Sequence, residues 1–96
     1  MRILALEVEN PGATADEFEP LLAKEARTAW QLVQNEFIRE IYFRADQSCA
    51  VLMLECDDVE QAQSKLSELP LVAAGLIQFE LIPLKPYPGF ARLFAD

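Results

Sequence analysis

"NEFIREIYFRADQSCAVLMLEC", residues 35–56, decides the fold. Phe37, Ile38, Ile41, Tyr42 and Phe43 suit a pleated, half-buried surface, so 37–44 reads as a strand. "ADQS", 45–48, is a short polar connection. The apolar run 49–56 therefore returns beside the first strand as a hairpin.

Working outward, "RILALEV" at 2–8 is a short apolar strand, and "NPG" at 10–12 is a turn signal. Thr14 followed by Glu17 has the capping-box spacing that opens a helix. Phe18, Leu21, Leu22, Ala26, Ala29 or Trp30, and Val33 recur at helical spacing to about residue 35. Pro20 either separates a first short turn or stands at the first position of the long helix. Beyond the hairpin, Asp57 with Glu60 caps a second helix marked by Val59, Ala62, Leu66 and Leu69, which Pro70 stops. Gly75 breaks the chain, 76–84 is a fourth strand, and the tail 85–96 holds too many prolines to be a central strand.

The order is β-α-β-β-α-β, the split βαβ or ferredoxin-like arrangement, α+β in class. It predicts one domain over 1–96, with a four-stranded antiparallel sheet and both helices on one face. The other face should then be polar, and it is not. Cys49, Val51 and Met53 alternate with Ala50, Leu52 and Leu54, and both sets are apolar. A second copy of the chain, sheet against sheet, is the simplest cover, and a higher assembly of such dimers is compatible with it. Tyr87, Phe90, Leu93 and Phe94 in the tail either clasp that partner or fold back over their own sheet.

A net charge of −8 disfavours nucleic acid and anionic membranes as partners. The N-terminus carries no secretory pattern and no apolar run is long enough to span a bilayer, so a cytoplasmic protein is expected. Cys49 and Cys56 lie roughly 23 Å apart along one strand, at about 3.3 Å per residue, so an internal disulfide is not expected. The chain has no histidine, which removes most zinc sites and every histidine-based triad.

"LSELPLVAAGLIQFELIPLKPYPGF", residues 66–90, together with the hairpin from Arg39 to Glu55 and the element order, resembles the muconolactone isomerase-like family of the dimeric α+β barrel superfamily. Leu69-Pro70-Leu71 closes the second helix ahead of a strand and a proline-containing tail. The resemblance implies two sheets facing each other as a barrel, with a small organic acid or lactone bound in or beside the lumen. It also implies isomerisation by proton transfer, which needs a base near a ring carbon and a group that stabilises the enolate. No metal and no organic cofactor is implied. Catalysing members carry histidine among the lumen-side candidates, so here proton transfer would fall to Glu or Tyr.

In the second strand, Ile38, Glu40, Tyr42 and Arg44 share one face, and Phe37, Arg39, Ile41 and Phe43 share the greasier one that suits the helices. The first set would line the barrel. Glu40 is the candidate base, Tyr42 would orient a ligand oxygen, and Arg44 would hold a carboxylate. Alternatively Glu40 and Arg44 pair with each other or with the partner at the rim. Arg39 reads as an edge charge. Glu7, Glu55 and Glu80 can also face the lumen, depending on register. No ligand loop among these carboxylates points to a metal. Tyr87 either lines the pocket mouth or packs, and Trp30 reads as core. The reading from a different class is a non-catalytic binding or assembly protein whose barrel is filled by side chains.

Overall fold

The computed structural model describes residues 1–95. Four strands, β1 (Arg2–Glu9), β2 (Ile38–Phe43), β3 (Ala50–Glu55) and β4 (Ile77–Pro83), form one antiparallel sheet in the order β2-β3-β1-β4. Helices α1 (Ala15–Phe18), α2 (Leu22–Gln34), α3 (Val59–Leu66) and α4 (Pro70–Ala73) lie between them in sequence. This is the ferredoxin-like α+β fold.

The core shows which face the helices cover. Ile3, Ala5, Leu52 and Leu54 from the sheet share one buried cluster with Leu32 of α2 and Ala62 and Leu66 of α3. These sheet residues alternate along β1 and β3, so the side chains between them point the other way. Leu4, Leu6 and Val8 with Val51, Met53 and Ile82 make up that open face, opposite one another in register.

Several local readings resolve or change. Pro20 falls in a short 3₁₀ turn, Glu19–Leu21, so the first turn is a separate piece ahead of α2. Thr14 and Glu17 form the capping box, with the Thr14 N–H and hydroxyl both donating to Glu17 Oε1 at 3.0 and 3.1 Å. The second cap lies one residue later than expected. Asp58 Oδ1 accepts from the Gln61 N–H at 2.7 Å, and Gln61 Oε1 accepts from the Asp57 N–H, also at 2.7 Å. Gln61, at the third helical position, thus reaches back one residue beyond the cap, to Asp57 and not to the Asp58 N–H of a capping box. Pro70 does not end a helix but begins one: α3 stops at Leu66, and Pro70 stands at the start of α4 with Leu69 as its extended cap. Trp30 is 60% exposed, so Ala29 takes the core position instead. Cys49 and Cys56 are both free thiols.

The hairpin corrects the reading of its own faces. Ile38 sits opposite Leu54, but Glu40 sits opposite Met53, with Arg39 left over between them as a bulge. One extra residue reverses the alternation, so Ile38 joins Ile41 and Phe43 on the helix side. Glu40 and Tyr42 remain on the open face, as expected. The Arg39 guanidinium Nε donates back to the Glu36 carbonyl at 2.6 Å, and Arg39 is exposed on this edge strand.

The tail beyond β4 does not fold back onto its own sheet. Its 3₁₀ segment Pro88–Phe94 projects, leaving Tyr87, Phe90 and Leu93 exposed and Phe94 at 85%. The radius of gyration is accordingly 15.9 Å, where a compact chain of this length has about 12 Å.

Candidate functional site

Ile41 and Phe43 lie on the helix side of β2, yet Phe43 is 70% exposed. The helices stop short of this part of the sheet, which opens a cleft of ≈ 270 Å³ between α2 and strands β1–β3. Its walls are Leu22, Ala26 and Ala29 of α2, Ile38, Ile41 and Phe43 of β2, Ala50 and Leu52 of β3, Phe79 of β4, and Leu69 and Leu71 beside α4. Two polar side chains enter it, Glu7 and Glu25.

Each has a sequence reason to be there. Glu7 shares the parity of Ile3 and Ala5 on β1, so it faces the helices and not the open face. Glu25 falls three residues after Leu22 and four before Ala29, inside the apolar stripe of α2. Each carboxylate is anchored by one backbone donor. Glu7 Oε1 accepts from the Ala50 N–H at 2.9 Å, just beyond the last β1–β3 pair, Leu6 with Val51. Glu25 Oε1 accepts from the Leu71 N–H at 2.9 Å, tying α2 to the Leu69-Pro70-Leu71 segment.

Burial pushes both carboxyls above the ordinary value of 4.5, more strongly than their backbone hydrogen bonds pull them down. Glu9 adds to the shift of Glu7, and Glu7 to that of Glu25. Two carboxyls with raised pKa values thus line one cleft, and the charge of Glu7 adds a minor part to the shift of Glu25. Such a pair can hold one proton between an acid and a base.

This has a consequence for stability. Below pH 4.5, the ordinary value, both groups are protonated in the folded and unfolded chain alike. As pH rises past that value the unfolded chain releases its protons first, so stability falls until the folded groups have ionised as well. Glu7→Gln and Glu25→Gln keep an acceptor oxygen for Ala50 and Leu71 but remove the ionisation. Each is expected to raise unfolding stability at neutral pH by roughly 0.5 kcal/mol, a modest figure because both sites are half exposed and screened. The gain should vanish at about pH 3.5, below the ordinary carboxyl value. Urea unfolding at the two pH values checks it.

The candidates named from the hairpin lie elsewhere. The Tyr42 hydroxyl donates to Glu40 Oε1 at 2.9 Å on the open face, and that bond raises the phenol pKa. Arg44 is not with them. It lies past the end of β2, where its Nε and Nη2 donate to Asp46 Oδ1 and Oδ2 at 2.9 and 2.7 Å. This fork pairs Arg44 within the turn and holds the Asp46 carboxyl below its ordinary value. Glu80 faces the open side from β4, opposite Leu6. Since β2 and β4 are the two edges and Glu80 lies two residues from Ile82 in the row of Glu40, Glu80 stands about 16 Å from Glu40. Tyr87 lies on the projecting tail, edge-on to Phe90 at 5.0 Å and folded over Gly89. Glu55 pairs with Arg2 at 3.4 Å. Among the described residues, no group of three or more Cys, Asp or Glu is placed to hold a metal ion. No helix among them is long and apolar enough to cross a membrane.

A ferredoxin-like chain with an apolar cleft on the helix side and two acidic groups in it defines the class. No protein-family model matches the sequence, and no curated protein matches it. Solved structures do match. Muconolactone isomerase superposes with a TM-score of 0.75 at 20% identity, over 92% of this chain and 92% of that one. A 5-chloro-2-hydroxyhydroquinone dehydrochlorinase from Burkholderia phenoliruptrix, in complex with 2,5-dihydroxybenzoquinone, superposes with a TM-score of 0.68 at 16% identity, over 93% of this chain and 98% of that one. At these identities the likeness is one of fold, and it is the fold that residues 66–90 and the hairpin had suggested.

Proposed function

We propose that this protein is a homodimer that binds one small ring compound in the cleft of each subunit and isomerises it by proton transfer between Glu7 and Glu25. The observation that carries the reading is the pair of half-buried carboxyls, both held above the ordinary carboxyl value by burial, in an otherwise apolar cleft. A raised pKa is what a carboxylate base working near neutral pH needs. The volume suits one substituted ring, since a cavity of about 150 Å³ accepts benzene. A protein of the same fold was crystallised with 2,5-dihydroxybenzoquinone, a flat ring of this size.

The two glutamates can perform the reaction by themselves. One carboxylate takes the proton from a carbon lying between a carbonyl and a double bond. The other, protonated, donates to the carbonyl oxygen as charge develops there. The electron pair moves along the conjugated system, the first glutamate returns its proton at the far carbon, and the enol oxygen hands its proton back to the second glutamate as the carbonyl re-forms. No atom is gained or lost. On this reading Glu40 and Tyr42 sit at the rim of the dimer, where their hydrogen bond satisfies both groups, and the projecting tail clasps the partner through Tyr87, Phe90, Leu93 and Phe94.

The test uses α-angelica lactone, a neutral β,γ-unsaturated ring. The protein is expected to convert it to the α,β-unsaturated isomer, followed by the rise in ultraviolet absorbance. Binding of the lactone without conversion would favour the non-catalytic binding protein.

A further inference from the structure

The cleft carries a charge pattern that narrows its ligand further than ring size does. An adjoining cleft shares Glu7, Leu22, Phe43 and Leu71 with the first and forms its mouth. The charged side chains lining the two are Glu7, Glu9, Glu19 and Glu25, and among the described residues no Lys or Arg lines either. The two backbone N–H groups that reach the carboxylates, those of Ala50 and Leu71, are already taken by them. A carboxylate ligand would therefore enter an apolar slot past Glu9, Glu19 and the remaining negative charge of the Glu7–Glu25 pair, with no cation to meet it. Burying such a charge unpaired is strongly unfavourable. What the cleft offers instead, on the reading above, is acceptor oxygens on one glutamate, a carboxyl proton on the other, and apolar walls for the rest of the ring.

We propose that the cleft selects an uncharged five- or six-membered ring bearing a hydroxyl or lactone group, and rejects ring carboxylates. This rests on the cleft being the ligand site, and it removes the organic acids from the two ligand types that the resemblance implies. An ammonium ligand would meet opposite charge in the carboxylates but must leave its hydration shell for apolar walls, where each carboxylate has one oxygen already engaged with the backbone; the amine probe below decides between the two effects. The tail's cations, Lys85 and Arg92, are exposed and do not line the cleft.

The experiment titrates the labelled full chain at about pH 7.5 with 4-methylphenol, 4-methylbenzoate and 4-methylbenzylamine, three rings of similar size that are neutral, anionic and cationic there. Methyl signals of Leu22, Ile41 and Leu71 report the cleft. Expected is saturable binding of the phenol, with the benzoate weaker by about tenfold or more. In the Glu7→Gln, Glu25→Gln double variant the benzoate should gain most of that factor, which size selection alone would not produce. Binding of the benzoate as tight as the phenol, as a partner tail carrying Lys85 or Arg92 into the cleft would cause, overturns the charge rule while leaving the cleft as the site. Tightest binding of the amine overturns it likewise. If no probe shifts the cleft methyls, the proposed site and the inference fall together.

Discussion

Leu4→Arg is expected to run as a folded monomer on sizing chromatography where the unaltered chain runs as a dimer. Leu4 stands at the centre of the open face, between Met53 on β3 and Ile82 on β4. That face presents Leu4, Leu6, Val8, Val51, Met53 and Ile82 with no helix over it, and a patch of this kind marks an interaction site. In a two-fold dimer one substitution is present twice, on facing surfaces. Each buried, unpartnered guanidinium would cost about 3–5 kcal/mol, enough to lower the association constant by several powers of ten. In the monomer the same side chain lies in water, so the circular dichroism of the fold should survive. A Leu4→Arg chain that still elutes as a dimer would remove the sheet-to-sheet arrangement from the account.

Glu25→Gln is expected to abolish most lactone isomerisation, by about 10²–10⁴-fold in kcat. The substitution preserves the size of the side chain and an acceptor for the Leu71 N–H, so the cleft stays shaped as it is. It removes the group that either takes or gives the proton. Because the pair acts as a unit, Glu7→Gln should lose about as much, and the double variant little more than either single one. KM should change less than kcat, since ring contacts with Ala26, Ala29 and Leu52 remain. The same two variants are the ones expected to gain stability at neutral pH. Loss of turnover with a gain in stability is the signature of a strained functional pair and not of a structural one. Turnover unaffected by either change would end the catalytic assignment.

Much of the fold was legible because each element kept its own period. The hairpin, the turn at Asn10-Pro11-Gly12 and the Thr14–Glu17 box all depend on neighbours a few residues away, and they stand as read. The bulge at Arg39 was not legible. A single unpaired residue leaves no mark on composition, yet it moves Ile38 to the opposite face from the one alternation assigns. The site was half visible. Glu7 was noted among the carboxylates, but its side of the sheet follows from register with β3. Glu25 carries a local signal, a charge set within the apolar stripe between Leu22 and Ala29. Its meaning depends on the Leu71 N–H, 46 residues away in the chain. Glu40, Tyr42 and Arg44 become candidates only if the ligand sits in the barrel lumen. The cleft opened by the short reach of the helices past Phe43 is a tertiary feature with no counterpart in the hairpin alone.

The proposed ligand site lies on the helix side of the sheet, between Glu7 and Glu25. A crystal grown with 4-bromophenol tests it most directly, because the bromine's anomalous signal locates the ring without interpretation. The account predicts one peak per subunit in the cleft, among Leu22, Ala26, Ile41 and Phe79, with the hydroxyl within hydrogen-bond reach of Glu7 or Glu25. A peak between the two sheets, beside Leu4, Met53 or the Glu40–Tyr42 pair, would contradict it and return the site to the barrel lumen.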